Sequence, residues 1–169
     1  MKGYGLSESA VKALSAAISL KPALTLITKI YLENNGLTDS GMAVFLTGMS
    51  RLKRVESLTL KFNEFGLQSL SKIQPILSRI ADSLHTLRLI RCKTSSRVIS
   101  ELLEQLKTQG MVQKLSIVDS GLCETGIVKL GQLLKETTKI KQLDISWSAL
   151  RPNEYFHLFQ ALKENRTLT

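Results

Sequence analysis

The chain has 169 residues, of which 43% are hydrophobic and only 5% aromatic, and it carries a net charge of +9. This length predicts one domain with a sizeable core, and the scarcity of aromatic residues favours thin, repeated layers of aliphatic side chains. Two cysteines exclude a disulfide framework. No apolar run approaches the ~18 residues of a membrane span, and the N-terminus lacks a signal-peptide core, so we expect a soluble, cytoplasmic protein.

The chain opens with an amphipathic helix over residues 6–20, which we expect to belong to a repeat that lacks its strand. The link that follows, near Lys21 and Pro22, is three residues longer than the later links. A block from Ile27 to Leu37 comes next, with apolar residues at relative positions 1, 4, 6 and 11 and Asn35 at position 9. This spacing predicts a short buried strand that runs into a tight turn.

The same block recurs along the rest of the chain. Its starts lie at residues 27, 55, 84, 112 and 140, so the period is 28 or 29 residues, and a sixth start falls at Leu168. Between the blocks, apolar residues follow the i, i+3, i+4 spacing of amphipathic helices with one face on the strands. In the last helix these residues are Tyr155, Leu158, Phe159 and Leu162. Pro75 lies inside the third helix and predicts a kink or a late helix start there.

The block pattern LxxLxLxxNxL followed by a helix resembles the leucine-rich repeats of the ribonuclease-inhibitor type. The resemblance implies an α/β solenoid with parallel strands on the concave side and α-helices on the convex side. It covers residues 1–169 as a single domain, with a partial repeat over 1–26 and a truncated repeat from 168. Because solenoids need polar caps and neither end looks capped, we expect the chain to be part of a longer solenoid.

In this family, the side chain at position 9 bonds backbone groups of adjacent coils. An amide suits that role because it both donates and accepts hydrogen bonds. Here the series is Asn35, Asn63, Cys92, Ser120 and Ser148. We therefore expect looser turns in the last three coils, and we interpret Cys92 as a structural residue rather than a redox group.

The sequence contains no pattern typical of an enzyme. Its two histidines, His85 and His157, are far apart, and neither has a nucleophile and an acid arranged around it. No glycine-rich phosphate loop and no metal-ligand spacing is present. We expect no catalysis, no cofactor, no metal and no small-molecule substrate.

The strand positions between the buried residues predict a protein-binding surface. Their side chains point to the concave face, and Tyr, Trp and Arg are the residues that most often anchor interfaces. The candidate partner-binding residues are Tyr31, Asn34, Phe62, Arg88, Arg91, Asp119, Asp144 and Trp147. The alternative is that Phe62 and Trp147 only pack against neighbouring side chains on the sheet.

Basic residues cluster where helices end and strands begin, for example at Arg51, Lys53, Lys141 and Lys163. One interpretation is that they stabilise helix C-termini. The other is a rim that attracts an acidic protein partner. Nucleic acid is disfavoured because no aromatic residues alternate with these cations to stack on bases.

The resemblance implies a non-catalytic protein–protein interaction scaffold that is a subunit of a larger assembly and has no membrane partner. Proteins with similar repeats include cytoskeletal proteins such as tropomodulin and ciliary assembly subunits, so a cytoskeletal or ciliary location is expected. Two alternatives are a regulator of a small GTPase, resembling the Ran GTPase-activating proteins, and an innate-immune-type ligand-sensing region. Each rests on an analogy of fold.

Overall fold

A computed structural model of the chain describes residues 1–3, 5–20, 26–108, 111–136 and 139–169. The predicted long link near Lys21 and Pro22 lies outside these residues. Within them, helices and strands alternate along the chain. The strands are β1 (Lys29–Glu33), β2 (Ser57–Lys61), β3 (Thr86–Ile90), β4 (Lys114–Val118) and β5 (Gln142–Asp144). The helices are α1 (Glu8–Leu20), α2 (Asp39–Met49), α3 (Leu67–Arg79), α4 (Ser96–Thr108), α5 (Glu124–Glu136) and α6 (Pro152–Glu164).

The strands form one parallel sheet in the order β1-β2-β3-β4-β5. Each strand pairs with the next so that equivalent repeat positions lie side by side, as Leu58 does with Ile30 on one side and Leu87 on the other. The predicted α/β fold is therefore confirmed, with parallel strands on the concave side and helices on the convex side. We call the outward side of the sheet the strand face.

The core between the two layers is aliphatic and continuous from Val11 in α1 to Ala161 in α6. Each strand contributes its alternate residues, and each helix contributes one stripe, because these are the sides that meet. One helix column consists of Met42, Leu70, Ile99 and Ile127, all buried. Burying such a side chain contributes about 1.5–3 kcal/mol, so the repeated core accounts for the stacking of the coils.

A short segment before α1 pairs with the first edge of the sheet. Residues 1–3 run beside β1, where the Gly3 amide donates to the Glu33 carbonyl (2.8 Å) and the Glu33 amide donates to the Met1 carbonyl (3.0 Å). This contact is a single bridge at Lys2 and not a full strand, so the partial first repeat stays a prediction. At the other edge of the sheet, the Thr169 amide donates to the Lys141 carbonyl (3.0 Å).

Side chains at position 9 link consecutive coils. Asn63 Oδ1 accepts from the amides of Asn35 (3.2 Å) and Leu37 (3.3 Å), and its Nδ2 donates to the carbonyls of Leu32 (3.3 Å) and Lys61 (2.8 Å). Cys92 and Ser120 keep similar contacts despite being smaller; for example, the Cys92 amide donates to Ser120 Oγ at 3.0 Å.

Ser148 differs from the other position-9 residues because its hydroxyl has no hydrogen-bond partner among the described residues. The strand before it, β5, is also shorter than the others, with three residues instead of five. The loosening that we predicted for the last three coils is thus seen only in the fifth. In coils that another described coil follows, the Ser120 hydroxyl and the Cys92 thiol reach the same kind of backbone group as the Asn63 amide does.

The third helix does not start late. It runs from Leu67 to Arg79 and includes Pro75 in its interior, so the prediction of a late start is wrong. Pro75 is exposed, and because proline has no N–H, the carbonyl of Ser71 lacks its hydrogen-bond donor within the helix. Ser71 is also exposed, so water can donate to this carbonyl instead. Helices α3 and α4 approach each other less closely than the other neighbouring helices do.

The predicted face of α6 is also partly wrong. Leu158 and Ala161 are buried as the core side, but Tyr155 and Phe159, which we expected to pack on the strands, are 44% and 61% exposed. Their positions match those that pack against the following helix in the other coils, and no helix among the described residues covers this side of α6. None of the described helices is long and apolar enough to cross a membrane.

Candidate protein-binding surface

The parallel register places the middle strand positions in one row across the strand face. Tyr31, Thr59, Arg88, Ser116 and Asp144 lie side by side in that order. Equivalent residues of successive parallel strands are about 4.8 Å apart. Thr59 and Ser116 are buried between their neighbours, so the positions open to a partner that lies across the sheet are Tyr31, Arg88 and Asp144.

Tyr31 is held in place by a charged cluster at the first edge of the sheet. Its hydroxyl donates to the Glu33 carboxylate, which also pairs with Lys61 Nζ at 3.1 Å and Lys2 Nζ at 3.8 Å. The hydrogen bonds from Tyr31 and then from Lys61 hold the pKa of Glu33 below its ordinary value, whereas the bond to Glu33 raises the pKa of Tyr31. The Tyr31 ring remains 46% exposed and is therefore an oriented, accessible aromatic group.

The residue that follows each strand has a left-handed backbone. We call the set Asn34, Phe62, Arg91, Asp119 and Trp147 the turn row; their φ angles are 50°, 52°, 48°, 46° and 61°. The chain must leave the strand and turn back toward the helix layer at this point. The amides of the first four donate to carbonyls of the next coil, as the Phe62 amide does to the Ile90 carbonyl (3.0 Å).

Not every side chain suits this conformation. Asn and Asp adopt left-handed angles more readily than other non-glycine residues, so Asn34 and Asp119 fit the turn. For other L-residues the conformation costs roughly 1–2 kcal/mol because Cβ approaches the following carbonyl oxygen. Phe62, Arg91 and Trp147 therefore occupy positions that the backbone alone would give to Asn, Asp or Gly.

Three members of the turn row form one contiguous cluster. The Arg91 guanidinium carbon lies 5.6 Å from the centre of the Phe62 ring, and Lys61 Nζ lies 5.2 Å from it. Arg91 Nε is also 3.4 Å from Asp119 Oδ2. These contacts leave the Phe62 ring 37% exposed, whereas Trp147 is 77% exposed, so neighbouring side chains cover little of the indole.

The other predicted site residues lie around two shallow cavities. Arg88 and Asp144 line one of about 330 Å³ on the strand face, together with Lys114 and Gln142. Trp147 lines another of about 340 Å³ with Asp119 and Cys123 at the turn edge.

The two acids of the predicted site have separate partners. Asp119 pairs with Arg91, whereas Asp144 Oδ1 accepts from the Ser146 amide (3.0 Å) and the Ser146 hydroxyl (2.5 Å). Each carboxylate is therefore held by a group of its own, and the two do not act on one shared ligand atom.

The groups that could support catalysis are dispersed. Burial raises the pKa of the Cys92 thiol to about 11, and since the thiolate is the reactive form, Cys92 is a poor nucleophile. Among the described residues, no three or more His, Cys, Asp or Glu side chains are grouped so that they could hold a metal ion.

The basic rim is only partly neutralised. Arg54, Lys107 and Lys135 form ion pairs with Glu56, Glu136 and Glu164, at 2.6, 3.0 and 3.0 Å. In the part of the chain that the structure describes, no ion pair is formed by Arg51, Lys53, Lys141, Lys163 or Arg166. The rim thus keeps positive charge available to a partner.

The sequence did not predict one candidate surface, the outer side of α6. Tyr155, Phe156 and Phe159 are exposed on α6, and the rings of Tyr155 and Phe159 stack with centroids 6.0 Å apart. An alignment of the helices by repeat position would have shown it, because Phe159 stands where α5 has Gly131. The amphipathic pattern alone could not, since it does not say whether a following helix is present.

Comparisons with known proteins identify the fold. The chain is similar to the tropomodulin C-terminal domain of Caenorhabditis elegans, with a TM-score of 0.58, 13% sequence identity and 92% of each chain covered. It is also similar to leiomodin-1 actin-binding site 2, with a TM-score of 0.66, 15% identity, and 94% of this chain and 86% of that chain covered. No protein-family model and no curated protein matches the sequence. The similarity supports a leucine-rich-repeat-like fold, and the ribonuclease-inhibitor type stays a prediction.

Proposed function

We propose that this chain is a non-catalytic scaffold of the cytoskeleton that binds a protein partner through the turn row and the adjoining strand face. The fold that it shares with leiomodin-1 actin-binding site 2 supports this proposal and makes actin the first partner to test. The binding residues are those predicted from the sequence, with Trp147 and Phe62 as the main anchors.

A single observation carries the proposal: exposed aromatic side chains occupy left-handed positions. Trp147 has a φ of 61° and is 77% exposed, so it has both an unfavourable backbone conformation and little compensating burial. Stability alone would favour Asn, Asp or Gly there. Residues that break a local rule without a gain in the free protein are expected at functional sites.

The charge of the surface indicates the chemistry of the partner. Arg88 and Lys114 flank the cavity on the strand face and form no ion pair with the described residues, whereas Lys61 and Arg91 stack on Phe62. With a net charge of +9, the chain attracts acidic protein surfaces over a range set by the salt concentration. The partner is therefore a protein with an acidic surface.

The change Trp147→Asn tests this proposal. Removing an exposed anchor is expected to weaken co-sedimentation with actin filaments by about tenfold, the loss typical of a hot-spot residue. The same change is expected to raise the free energy of unfolding by about 1 kcal/mol, because Asn tolerates the left-handed backbone. Loss of binding with gain of stability is a combination that simple misfolding cannot produce.

Val128→Asn provides the matched control, since Val128 is exposed on the helix layer. It should leave co-sedimentation unchanged. If the wild-type protein does not sediment with filaments, actin is not the partner. If Trp147→Asn binds as tightly as wild type, the turn row is not the binding surface.

A further inference from the structure

We propose that the outer side of α6 is a second interaction surface, which binds an acidic amphipathic helix of a partner protein. We call Tyr155, Phe156 and Phe159 the end face. Their exposed fractions are 44%, 60% and 61%. This surface is distinct from the turn row and the strand face, so the inference does not depend on the function proposed above.

The end face occupies repeat positions that helices cover in the other coils. Ile127 of α5 is fully buried, and Tyr155 stands at the same position one repeat later. Gly131 of α5 lies against α6, where a Cβ atom would approach Ala161 Cβ at 3.4 Å, and Phe159 stands at its equivalent position. The geometry therefore already matches a helix packed along α6.

The composition of the end face differs from that of a contact between coils. The chain has five Phe, three Tyr and one Trp, and three of these rings are on α6. The core of the inner coils holds two buried aromatic residues, Phe45 and Phe65, and is otherwise aliphatic, and its helices meet at small residues such as Gly48 and Gly131. Aromatic side chains that stand out on an exposed helix are typical of interface anchors.

The charges around the end face select the occupant. Arg151 comes just before α6, Lys163 lies one turn after Phe159, and Arg166 follows the helix; all three are exposed and none forms an ion pair with a described residue. The two nearby acidic side chains already have partners within the chain. Glu164 pairs with Lys135, and Glu154 is buried and accepts from the Arg151 amide.

An acidic amphipathic helix satisfies both features of the surface. Its apolar stripe would cover the aromatic rings, and its carboxylates would meet the cations at both ends of α6. A second copy of this chain fits less well. A symmetric contact between two α6 helices would bring Arg151 of one copy against Lys163 and Arg166 of the other.

The experiment uses a fluorescently labelled helical peptide of roughly five turns, with Leu at i, i+3, i+4 and i+7 and Glu on the other face. Anisotropy titration measures its binding to the full chain. We expect the wild type to bind it and to bind more weakly as salt is added. A peptide with Lys in place of every Glu should not bind.

Two variants locate the site. Phe159→Ser should weaken binding about tenfold or more, because it removes an exposed anchor without touching the core. Lys163→Glu should weaken binding of the acidic peptide and allow binding of the Lys peptide. Leu67→Ser, an exposed apolar site at the start of α3, is the matched control and should bind as wild type does.

Three results would overturn the inference. The first is that wild type fails to bind the acidic peptide, and the second is that Phe159→Ser binds it unchanged. The third is sedimentation showing a wild-type dimer that Phe159→Ser dissociates, which would assign the end face to a second copy.

Discussion

Asn63 shows how a single buried side chain joins two coils. Its side-chain oxygen accepts hydrogen bonds from two backbone N–H groups of the preceding coil, and its side-chain nitrogen donates to two backbone carbonyls. Both N–H groups belong to buried residues, Asn35 and Leu37, that water cannot reach. Without the Asn63 side chain they would lose their hydrogen bonds and keep the full cost of desolvation.

Asn63→Ala is therefore expected to lower the free energy of unfolding by at least about 3 kcal/mol, as measured by urea denaturation at neutral pH. Ser148→Ala, at the same repeat position in the fifth coil, is the matched control. Because its hydroxyl has no partner among the described residues, it should alter stability by less than about 0.5 kcal/mol. Equal effects of the two changes on stability would show that the position-9 side chains do not hold the coils together.

At this scale, the sequence predicted buried positions well and backbone conformation poorly. The inward residues of each strand, such as Leu58 and Leu87, follow from the spacing because only one side of a strand can face the helices. The left-handed angle at Phe62 and Trp147 could not be predicted, since those residue types avoid it. The sequence predicted the turn position as a candidate for binding, but only the structure shows its strained backbone.

Helix α2 supplies the cap of the next helix. Asp39, the first residue of α2, accepts hydrogen bonds from the amides of Gly66 (2.8 Å), Gln68 (3.0 Å) and Ser69 (3.0 Å) at the start of α3. Burial would raise the pKa of Asp39, but the hydrogen bonds from the Ser69 hydroxyl and these three amides together lower it below the ordinary value.

Asp39→Asn should lower the free energy of unfolding by about 1–2 kcal/mol at neutral pH, because it replaces an accepting carboxylate oxygen with a donor. The pKa is lower in the folded state, so this stability is present above the unfolded pKa, about 3.9, and is lost as the pH falls through the folded value. The difference between wild type and variant should therefore shrink below about pH 4 in urea titrations. A difference between wild type and variant that stays constant from pH 7 down to about pH 3 would contradict this role of Asp39.

Helices α1 and α2 approach closely at one glycine. A Cβ atom on Gly48 would lie 2.6 Å from Ser15 Cα and 2.7 Å from the Ser15 carbonyl oxygen. At that point the Ser15 hydroxyl donates to the Val44 carbonyl at 2.8 Å. A larger residue at position 48 must separate the two helices, because the nearest atoms include backbone.

Gly48→Ala should destabilise the protein by about 1–3 kcal/mol in thermal or urea unfolding. Gly41→Ala in the same helix is the control. A Cβ there meets Thr38 Oγ1 at an ordinary 3.5 Å, and the change should be neutral or stabilising by up to about 1 kcal/mol. A neutral Gly48→Ala would mean that the two helices adjust to the added methyl group without loss.

The fifth coil is the least well packed of the described coils. It has a short strand, only half-buried Leu143, Ile145 and Leu150, and a Ser148 hydroxyl without a hydrogen-bond partner among the described residues. In the central coils the equivalent strand residues are fully buried between two neighbours. Because a repeat protein draws its stability from nearest-neighbour contacts, coil five has the lowest local stability of the coils described.

Hydrogen exchange followed by mass spectrometry should detect this gradient. We expect the amides of β5 and α6 to exchange well before those of β3, since they open without unfolding the central coils. Addition of the acidic peptide that binds the end face should slow exchange in α6. Equal protection of β3 and β5 in the free protein would contradict the gradient.

The repeat period predicted the architecture because one pattern specifies strand, turn and helix together, five times over. It could not predict how α6 and the edges behave, since those depend on which neighbours are present. Pro75 is the intermediate case. The residue signalled an irregularity, and the structure places that irregularity in the packing between α3 and α4 rather than in the start of the helix.

The spacing of α3 and α4 also shapes the arc. On the strand side, β2 and β3 are joined over five paired residues, as the strands on either side of them are. On the helix side, α3 and α4 approach each other less closely than the other neighbouring helices do. Because the strands keep one spacing while the helices are further apart here, the arc curves most between the second and third coils, and a partner that spans the surface from Tyr31 to Trp147 crosses this bend.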